Sequence, residues 1–236
     1  MTLTYVFHSC FMLETERSIV VSDFWKDSPG GIVRSTLGQT TKQVYFLASH
    51  FHADHFNREI FDISVPHGRK VTILSRDIIR RKRAKADEAD VILRRGEAYS
   101  DDMIRVKAFG STDSGVSFML ETEGKTVFHA GDLNNWHWQE ESTPQEIKKM
   151  DGDYKAILRD IKAEYPAVDI VMFPIDPRLG SDFGRGARQW LETIKTGLLV
   201  PMHFPPATAQ AMTFGREAER LGTKFAYIRH EGEKIF

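Results

Sequence analysis

Positions 50–55 of this chain read His50-Phe51-His52-Ala53-Asp54-His55. Three imidazoles and a carboxylate gathered this closely are a ligand set for a divalent cation, since both groups bind zinc, manganese or iron. They follow Val44-Tyr45-Phe46-Leu47-Ala48, an unbroken apolar run that reads as a strand buried on both faces. While the chain stays extended, His50 and His52 share a side and can grip one ion, because strand side chains alternate. Asp54 and His55 come after the chain turns and can reach a second ion. A polar loop that happens to contain histidines is the weaker reading, because the ligand types collect at a strand end as a metal site requires.

The pattern His50-x-His52-x-Asp54-His55 resembles the signature of the metallo-β-lactamase superfamily. Two later pieces are similar to that family as well: a strand ending in Gly-Asp, at Phe128-His129-Ala130-Gly131-Asp132, and a His at a strand end, at Pro201-Met202-His203-Phe204. The opening Val6-Phe7-His8-Ser9-Cys10-Phe11 looks most like the branch that includes the ascorbate-6-phosphate lactonase. The resemblance spans most of the chain. It implies an α/β (α+β) fold, a four-layer αββα sandwich with one or two metal ions at one edge. Asp132 would bridge the two ions, with His50 and His52 on the first and Asp54, His55 and His203 on the second. Zn2+ is the expected metal, with Mn2+ or Fe2+ as alternatives. Asp54 and Asp132 would then be catalytic as well as ligating, because two ions roughly 3.5–4 Å apart hold a hydroxide that attacks a carbonyl or phosphoryl centre. The absence of a Gly-x-Ser-x-Gly elbow agrees with a reaction needing no Ser or Cys nucleophile.

The main departure falls at Phe109-Gly110-Ser111-Thr112-Asp113-Ser114-Gly115, where the superfamily supplies a third His to the first ion. Ser111 or Thr112 stands at that place, with Asp113 beside it. Either the Asp113 carboxylate replaces the imidazole or the first pocket is weak and only the second fills; the sequence leaves both open. His8 either approaches the metal edge or is structural. Trp136 and Trp138 flank His137 in a loop, where such apolar bulk suggests a substrate-pocket wall, with core packing as the alternative. His137 is a candidate proton donor or replacement ligand, whereas His129 points away from Asp132 along its strand and reads as a histidine that supports the ligands from behind or packs in the core. Arg178 either forks onto a substrate carboxylate or phosphate or bridges two loops.

These residues need strands to carry them. Alternating or apolar runs predict strands at 3–7, 11–15, 18–22, 71–74, 104–108, 116–120, 126–130, 170–174, 198–201 and 225–228. Asp23 to Gly31 reads as loop. Ser75 caps a helix with Ile78 and Ile79 inward, and its cations Arg80, Arg81, Lys82, Arg83 and Lys85 are balanced by Asp87, Glu88 and Asp90, which reads as a solvated face. Thr143-Pro144-Gln145-Glu146 is a capping box opening a helix whose stripe runs Ile147, Met150, Tyr154, Ile157, Leu158, Ile161. Further helices are predicted at 187–195 and 208–221. In the second half strands alternate with helices, and the candidate residues follow strand C-termini, where open α/β sheets place their sites.

The length of 236 residues suits one domain, 1–236, and 41% hydrophobic against 28% charged residues is ordinary for a globular enzyme. A net charge of −1 offers nucleic acid or an anionic membrane no overall attraction. Cys10 is the one cysteine, which excludes an internal disulfide and fits a reducing cytoplasm. Glu14, Glu16 and Arg17 interrupt any secretory leader, and no apolar run approaches the roughly 20 residues of a membrane span. The expected partner is a small-molecule substrate, neither nucleic acid nor membrane, with a homo-oligomer left open. The function predicted is a metal-dependent hydrolase acting on a small ester, lactone or phosphoester. The alternatives are a metal-binding sensor or scaffold without catalysis, or a phosphodiesterase/nuclease acting on nucleotides.

Overall fold

The computed structural model describes all 236 residues. The first half forms a sheet of six strands in sequence order: β1 (Thr2–Phe7), β2 (Cys10–Glu14), β3 (Ser18–Ser22), β4 (Gln43–Ala48), β5 (Lys70–Ser75) and β6 (Val91–Leu93). β1 to β3 are antiparallel neighbours, and β3 to β6 run parallel. Helices α1 (Ile32–Leu37) and α2 (Arg76–Arg80) supply crossovers between parallel strands. The second half builds a seven-stranded sheet from β7 (Ala98–Ser100), β8 (Ile104–Phe109), β9 (Ser117–Thr122), β10 (Lys125–His129), β11 (Ala167–Pro174), β12 (Lys195–Met202) and β13 (Lys224–Phe225), again in sequence order. It is antiparallel as far as β10 and parallel beyond. Helices α3 (Pro144–Glu164), α4 (Arg185–Thr193), α5 (Thr208–Met212) and α6 (Gly215–Arg220) accompany it.

Alternation along the strands explains the layering. In the first sheet Leu3, Tyr5, Phe11, Leu13, Val20, Tyr45, Leu47 and Ile73 face the second sheet. The intervening Val6, Cys10, Met12, Ile19, Val21, Val44, Phe46 and Leu74 pack outward against Val33, Leu37 and Ile78 of α1 and α2. On the other side Phe128 of β10 stacks on Trp190 of α4, Phe173 of β11 packs tilted against the same ring, and Tyr154 of α3 completes that layer. Residues 232–236 return to bond β1: Tyr5 N–H donates to the Glu233 carbonyl at 2.9 Å and Ile235 N–H to Leu3 at 2.7 Å. The otherwise bare edge of the first sheet is thus covered. The αββα expectation holds.

Some elements differ from the sequence reading. α2 stops at Arg80, because a run of four cations repels along a helix and Lys82 turns into the left-handed region at φ 56°. The helix expected over 208–221 is two pieces, α5 and α6, divided at Thr213-Phe214, where the Phe214 ring is buried against Phe225. The last strand pairs only at Lys224–Phe225, and β6, β7 and α1 escaped detection because each is short or irregular in pattern. No helix is long and apolar enough to cross a membrane.

Candidate metal centre

The C-terminal ends of β3, β4, β10, β11 and β12 meet at one edge of the sandwich, and each delivers a polar residue there. After β4 the chain carries Ser49 and His50 on extended backbone, then turns on the His52 carbonyl, which accepts N–H donors from His55 at 3.1 Å and Phe56 at 3.0 Å. That turn brings Asp54 and His55 back toward His50. Two glycines let the second sheet close on this segment. Gly115 and Gly131 both have positive φ; a Cβ on Gly115 would lie 2.1 Å from the Ser49 carbonyl, and one on Gly131 would lie 2.8 Å from Ser49 Cβ. Four of the non-glycine residues at positive φ, His8, Asp23, Trp138 and His203, also belong to this edge. Strain of this kind persists where surrounding structure holds it and gathers at functional sites.

Two donor sets share Asp132. Its Oδ2 lies 3.2 Å from His50 Nε2 and 4.0 Å from His52 Nδ1, while Asp113 Oδ2 stands 3.6 Å from the same His52 atom. Its Oδ1 lies 3.1 Å from His55 Nε2 and 3.5 Å from His203 Nε2. Asp54 Oδ2 closes the second set at 3.3 Å from His8 Nε2, 3.9 Å from His203 Nε2 and 4.0 Å from His55 Nε2. The candidate ligand atoms of His50, His52, Asp113 and Asp132 all fall within 4.8 Å of one another, as do those of His8, Asp54, His55 and His203. The buried atoms His8 Nε2, His55 Nε2 and Asp132 Oδ1 have no hydrogen-bond partner. Orphaned buried donors and acceptors are costly, and an ion between them would satisfy all three. Mixed imidazole and carboxylate donors suit zinc, manganese or iron.

The ring tautomers follow from the partners behind the rings. Ser49 Oγ lies 2.6 Å from Asp23 Oδ2 and 2.9 Å from His50 Nδ1. An ionised carboxylate only accepts, so the hydroxyl donates to Asp23 and accepts from His50 Nδ1–H, leaving His50 Nε2 to face the pocket with its lone pair. His55 Nδ1 donates to Asp23 Oδ2 at 2.7 Å, and His203 Nδ1 to Asp176 Oδ2 at 2.9 Å, with the same result at each Nε2. Asp176 is held in turn by Arg178, whose Nε reaches both carboxylate oxygens at 2.9 and 3.0 Å. Burial alone would protonate Asp23, but the neighbouring imidazoles hold its pKa below the usual range. Burial likewise opposes charge on His55, yet Asp132 and Asp23 on either side raise its pKa well above the ordinary value in the metal-free protein. Burial lowers the pKa of His8 against the opposing pull of Asp54.

The structure therefore brings together His50, His52, Asp54, His55, Asp113, Asp132 and His203, and places His8 within the second donor set as a further candidate ligand. Thr112 belongs to neither donor set: its hydroxyl donates to the Asn134 carbonyl at 2.6 Å and accepts the Asn134 N–H at 3.1 Å, tying the Asp113 loop to the Asp132 loop. His137 stands apart from the cluster. Its Nε2 donates to the Asp182 carbonyl at 3.2 Å and its Nδ1 accepts Gln139 N–H at 3.1 Å, so the proton-donor and ligand roles expected of it find no free nitrogen. His129 is also committed to backbone, to Ser9 and Gly131, as its strand position predicted. Trp136 packs edge-on to His203 at 5.6 Å and stacks on Trp138 at 6.2 Å. Asp23 was hidden in a stretch read as loop; the available signal was a carboxylate closing the apolar run Ile19-Val20-Val21, the same arrangement that announces Asp132.

No family model matches the sequence. A UPF0173 metal-dependent hydrolase of Korarchaeum cryptofilum is 24% identical over 212 residues, 86% of this chain and 82% of that protein. Igni18, a metallo hydrolase of the archaeon Ignicoccus hospitalis, superposes with a TM-score of 0.69 at 19% identity, over 99% of this chain and 96% of its own. YhfI of Bacillus subtilis, a metallo-β-lactamase fold protein, gives a TM-score of 0.63 at 11% identity over 99% of both chains.

Proposed function

We propose that this chain, which has the metallo-β-lactamase fold, is a metal-dependent hydrolase acting on a small anionic ester, lactone or phosphoester. One observation carries the reading: a single buried carboxylate, Asp132, divides its two oxygens between two convergent donor sets. The name of the Korarchaeum relative supports the class. Zinc is the favoured metal, with manganese or iron as alternatives; when bound, such ions supply Lewis acidity and bring the pKa of water near 7.

The chain's own residues hold, orient and admit. Asp23 and Ser49 aim His50 and His55, and Asp176 aims His203, so neither donor set must reorganise when loaded. Asp54, with its side chain 35% exposed, sits where the cluster opens on a cleft of about 760 Å³ bordered by His8, Trp25 and Phe204. Trp136 stands edge-on beside His203 with Trp138 stacked on it, an apolar wall for a substrate. Arg178 spends Nε and Nη2 on Asp176 but keeps its side chain 64% exposed, which leaves Nη1 for an anionic substrate. The lactonase-like opening around His8 supports the same substrate class.

Turnover of lactones, phosphodiesters and thioesters, measured before and after chelation and after return of Zn2+, Mn2+ or Fe2+, tests the reading. Hydrolysis of at least one substrate should vanish with the metal, return with it, and fall by about 10³-fold or more in Asp132→Ala. Tightly bound metal with no turnover on any substrate, indifferent to Asp132→Ala, would favour a sensor instead.

A further inference from the structure

A cleft of about 760 Å³ leads away from the second donor set. His8 and Asp54 belong to both: they lie 3.3 Å apart among the candidate ligands, and they line the cleft. A molecule held with its reactive bond at Asp54 therefore has the rest of its length in this space. The walls are mostly carbon. Phe7 and Trp25 come from the end of β1 and from just beyond β3, Phe204 and Pro205 from beyond β12, and Ile228 from the segment after β13. The size falls within the roughly 300–1,000 Å³ of pockets that bury most of an organic ligand.

Contacts behind the walls hold the cleft in shape. Tyr5 stacks on Phe204 at 5.4 Å and its hydroxyl accepts the His8 N–H at 2.9 Å, so one core residue fixes both a wall and a candidate ligand. Trp25 packs tilted on Phe7 at 5.2 Å and edge-on to His8 at 5.6 Å. Yet Trp25 stays half-buried and Pro206 exposed, apolar area beside a candidate site that folding leaves open. The rim carries Arg229 and His230 together with Glu231, and charge of both signs there favours an occupant with none. Arg178 meets the second set elsewhere. Its Nη2 lies 3.3 Å from His203 Nδ1, whereas His8 lies against the His203 ring with centroids 4.3 Å apart.

We propose that this cleft binds a neutral apolar tail on a carboxylic ester or lactone substrate, with Trp25 as a specificity-determining residue. A phosphorylated or hydroxyl-rich tail would press its polar groups against carbon and lose their hydration without replacement. An alkyl or aryl tail instead buries its own apolar area together with that of Trp25. The substrate assignment rests on the hydrolase reading; the apolar cleft does not.

Straight-chain primary alcohols from butanol to octanol, titrated into the full chain held metal-free with chelator and followed by ligand-observed NMR, read the cleft alone. Affinity should rise about two- to fourfold with each methylene until the cleft is filled. Trp25→Ser should weaken octanol by about fivefold or more, and Trp25→Leu, which keeps apolar area, by less than about threefold. Phe236→Ala removes an exposed ring from a different groove and should change octanol binding by less than about twofold. Unchanged thermal melting verifies the fold of each variant. In the metal-loaded protein, kcat/KM for an octanoate ester should exceed that for the acetate of the same alcohol by about tenfold or more, and Trp25→Ser should lose most of that preference. No gain per methylene, or equal loss in Trp25→Ser and Phe236→Ala, would overturn the cleft while leaving metal-dependent turnover untouched. Alcohol binding that depends on Trp25, with esters turned over at no preference for the longer chain, would overturn the substrate tail. A dimer in light scattering that Trp25→Ser dissolves would put a second copy of the chain in the cleft and overturn it equally. Intact alcohol binding with no turnover of any ester or lactone would instead reject the hydrolase reading alone.

Discussion

Asp23 shows how much of a metal site lies behind its ligands. It is fully buried, and it fixes His55 directly and His50 through Ser49. Asp23→Asn should cut metal affinity by about 10–100-fold with little change in secondary structure, read by competition with a chromogenic chelator. Asp113→Ala should release one ion of two, and unchanged stoichiometry would show that the carboxylate does not stand in for the missing imidazole. Binding should also expel protons. Metal-free His55 keeps its proton above the usual pKa because Asp132 and Asp23 flank it, and an ion needs that Nε2 lone pair. Apparent affinity should therefore fall as pH is lowered, and titration calorimetry in two buffers of different ionisation enthalpy should report proton release. The candidate ligands themselves were legible because their types and spacing sit within a few residues of strand ends. Asp23 was not, since its partnership with Ser49, 26 residues away, exists only once β3 and β4 pair in parallel. His137 misled for a related reason: a His between tryptophans looks catalytic until the backbone around it claims both nitrogens.

At the scale of elements, close approach of the two sheets at the metal edge depends on glycine. Gly115→Ala places a Cβ against the Ser49 carbonyl at φ +64°, which combines strain with overlap. A loss of at least about 2 kcal/mol is expected by urea denaturation, with weaker metal binding because His50 must shift. Long periodic elements were readable: the capping box at Thr143 and the buried stripe Tyr154, Ile157, Leu158 and Ile161 define α3 as expected. Short ones were not, because α1, β6 and β7 hold too few residues to express a period and owe their form to neighbours already in place. The cations after Ser75 are exposed, as a solvated face requires, yet two of the three acids close in sequence, Glu88 and Asp90, turn their carboxylates to Arg58 and Thr72.

Across the whole molecule two layers of contact hold the sandwich. Trp190, fully buried, stacks on Phe128 at 4.6 Å and donates to Thr196 Oγ1 at 3.0 Å; Trp190→Ala should cost about 3–5 kcal/mol of unfolding free energy. Asp101 ties the sheets together, accepting from Tyr45 of β4 at 2.6 Å and Tyr99 of β7 at 2.8 Å. Burial would raise the Asp101 pKa, but these phenols and the N–H groups of Met103 and Ile104 bring it below the unfolded value. Its contribution is present above the unfolded pKa near 4 and disappears as pH falls through the lower folded value. Asp101→Asn should lower stability at neutral pH and flatten its decline below about pH 4, measured by thermal melting across pH. The central claim, that one carboxylate serves two ions, is tested most directly by anomalous diffraction from crystals of the metal-loaded protein. Two peaks should flank Asp132, one beside His50, His52 and Asp113 and the other beside His8, Asp54, His55 and His203. A lone peak that Asp132 does not touch, or none at this edge of the sandwich, would contradict the account.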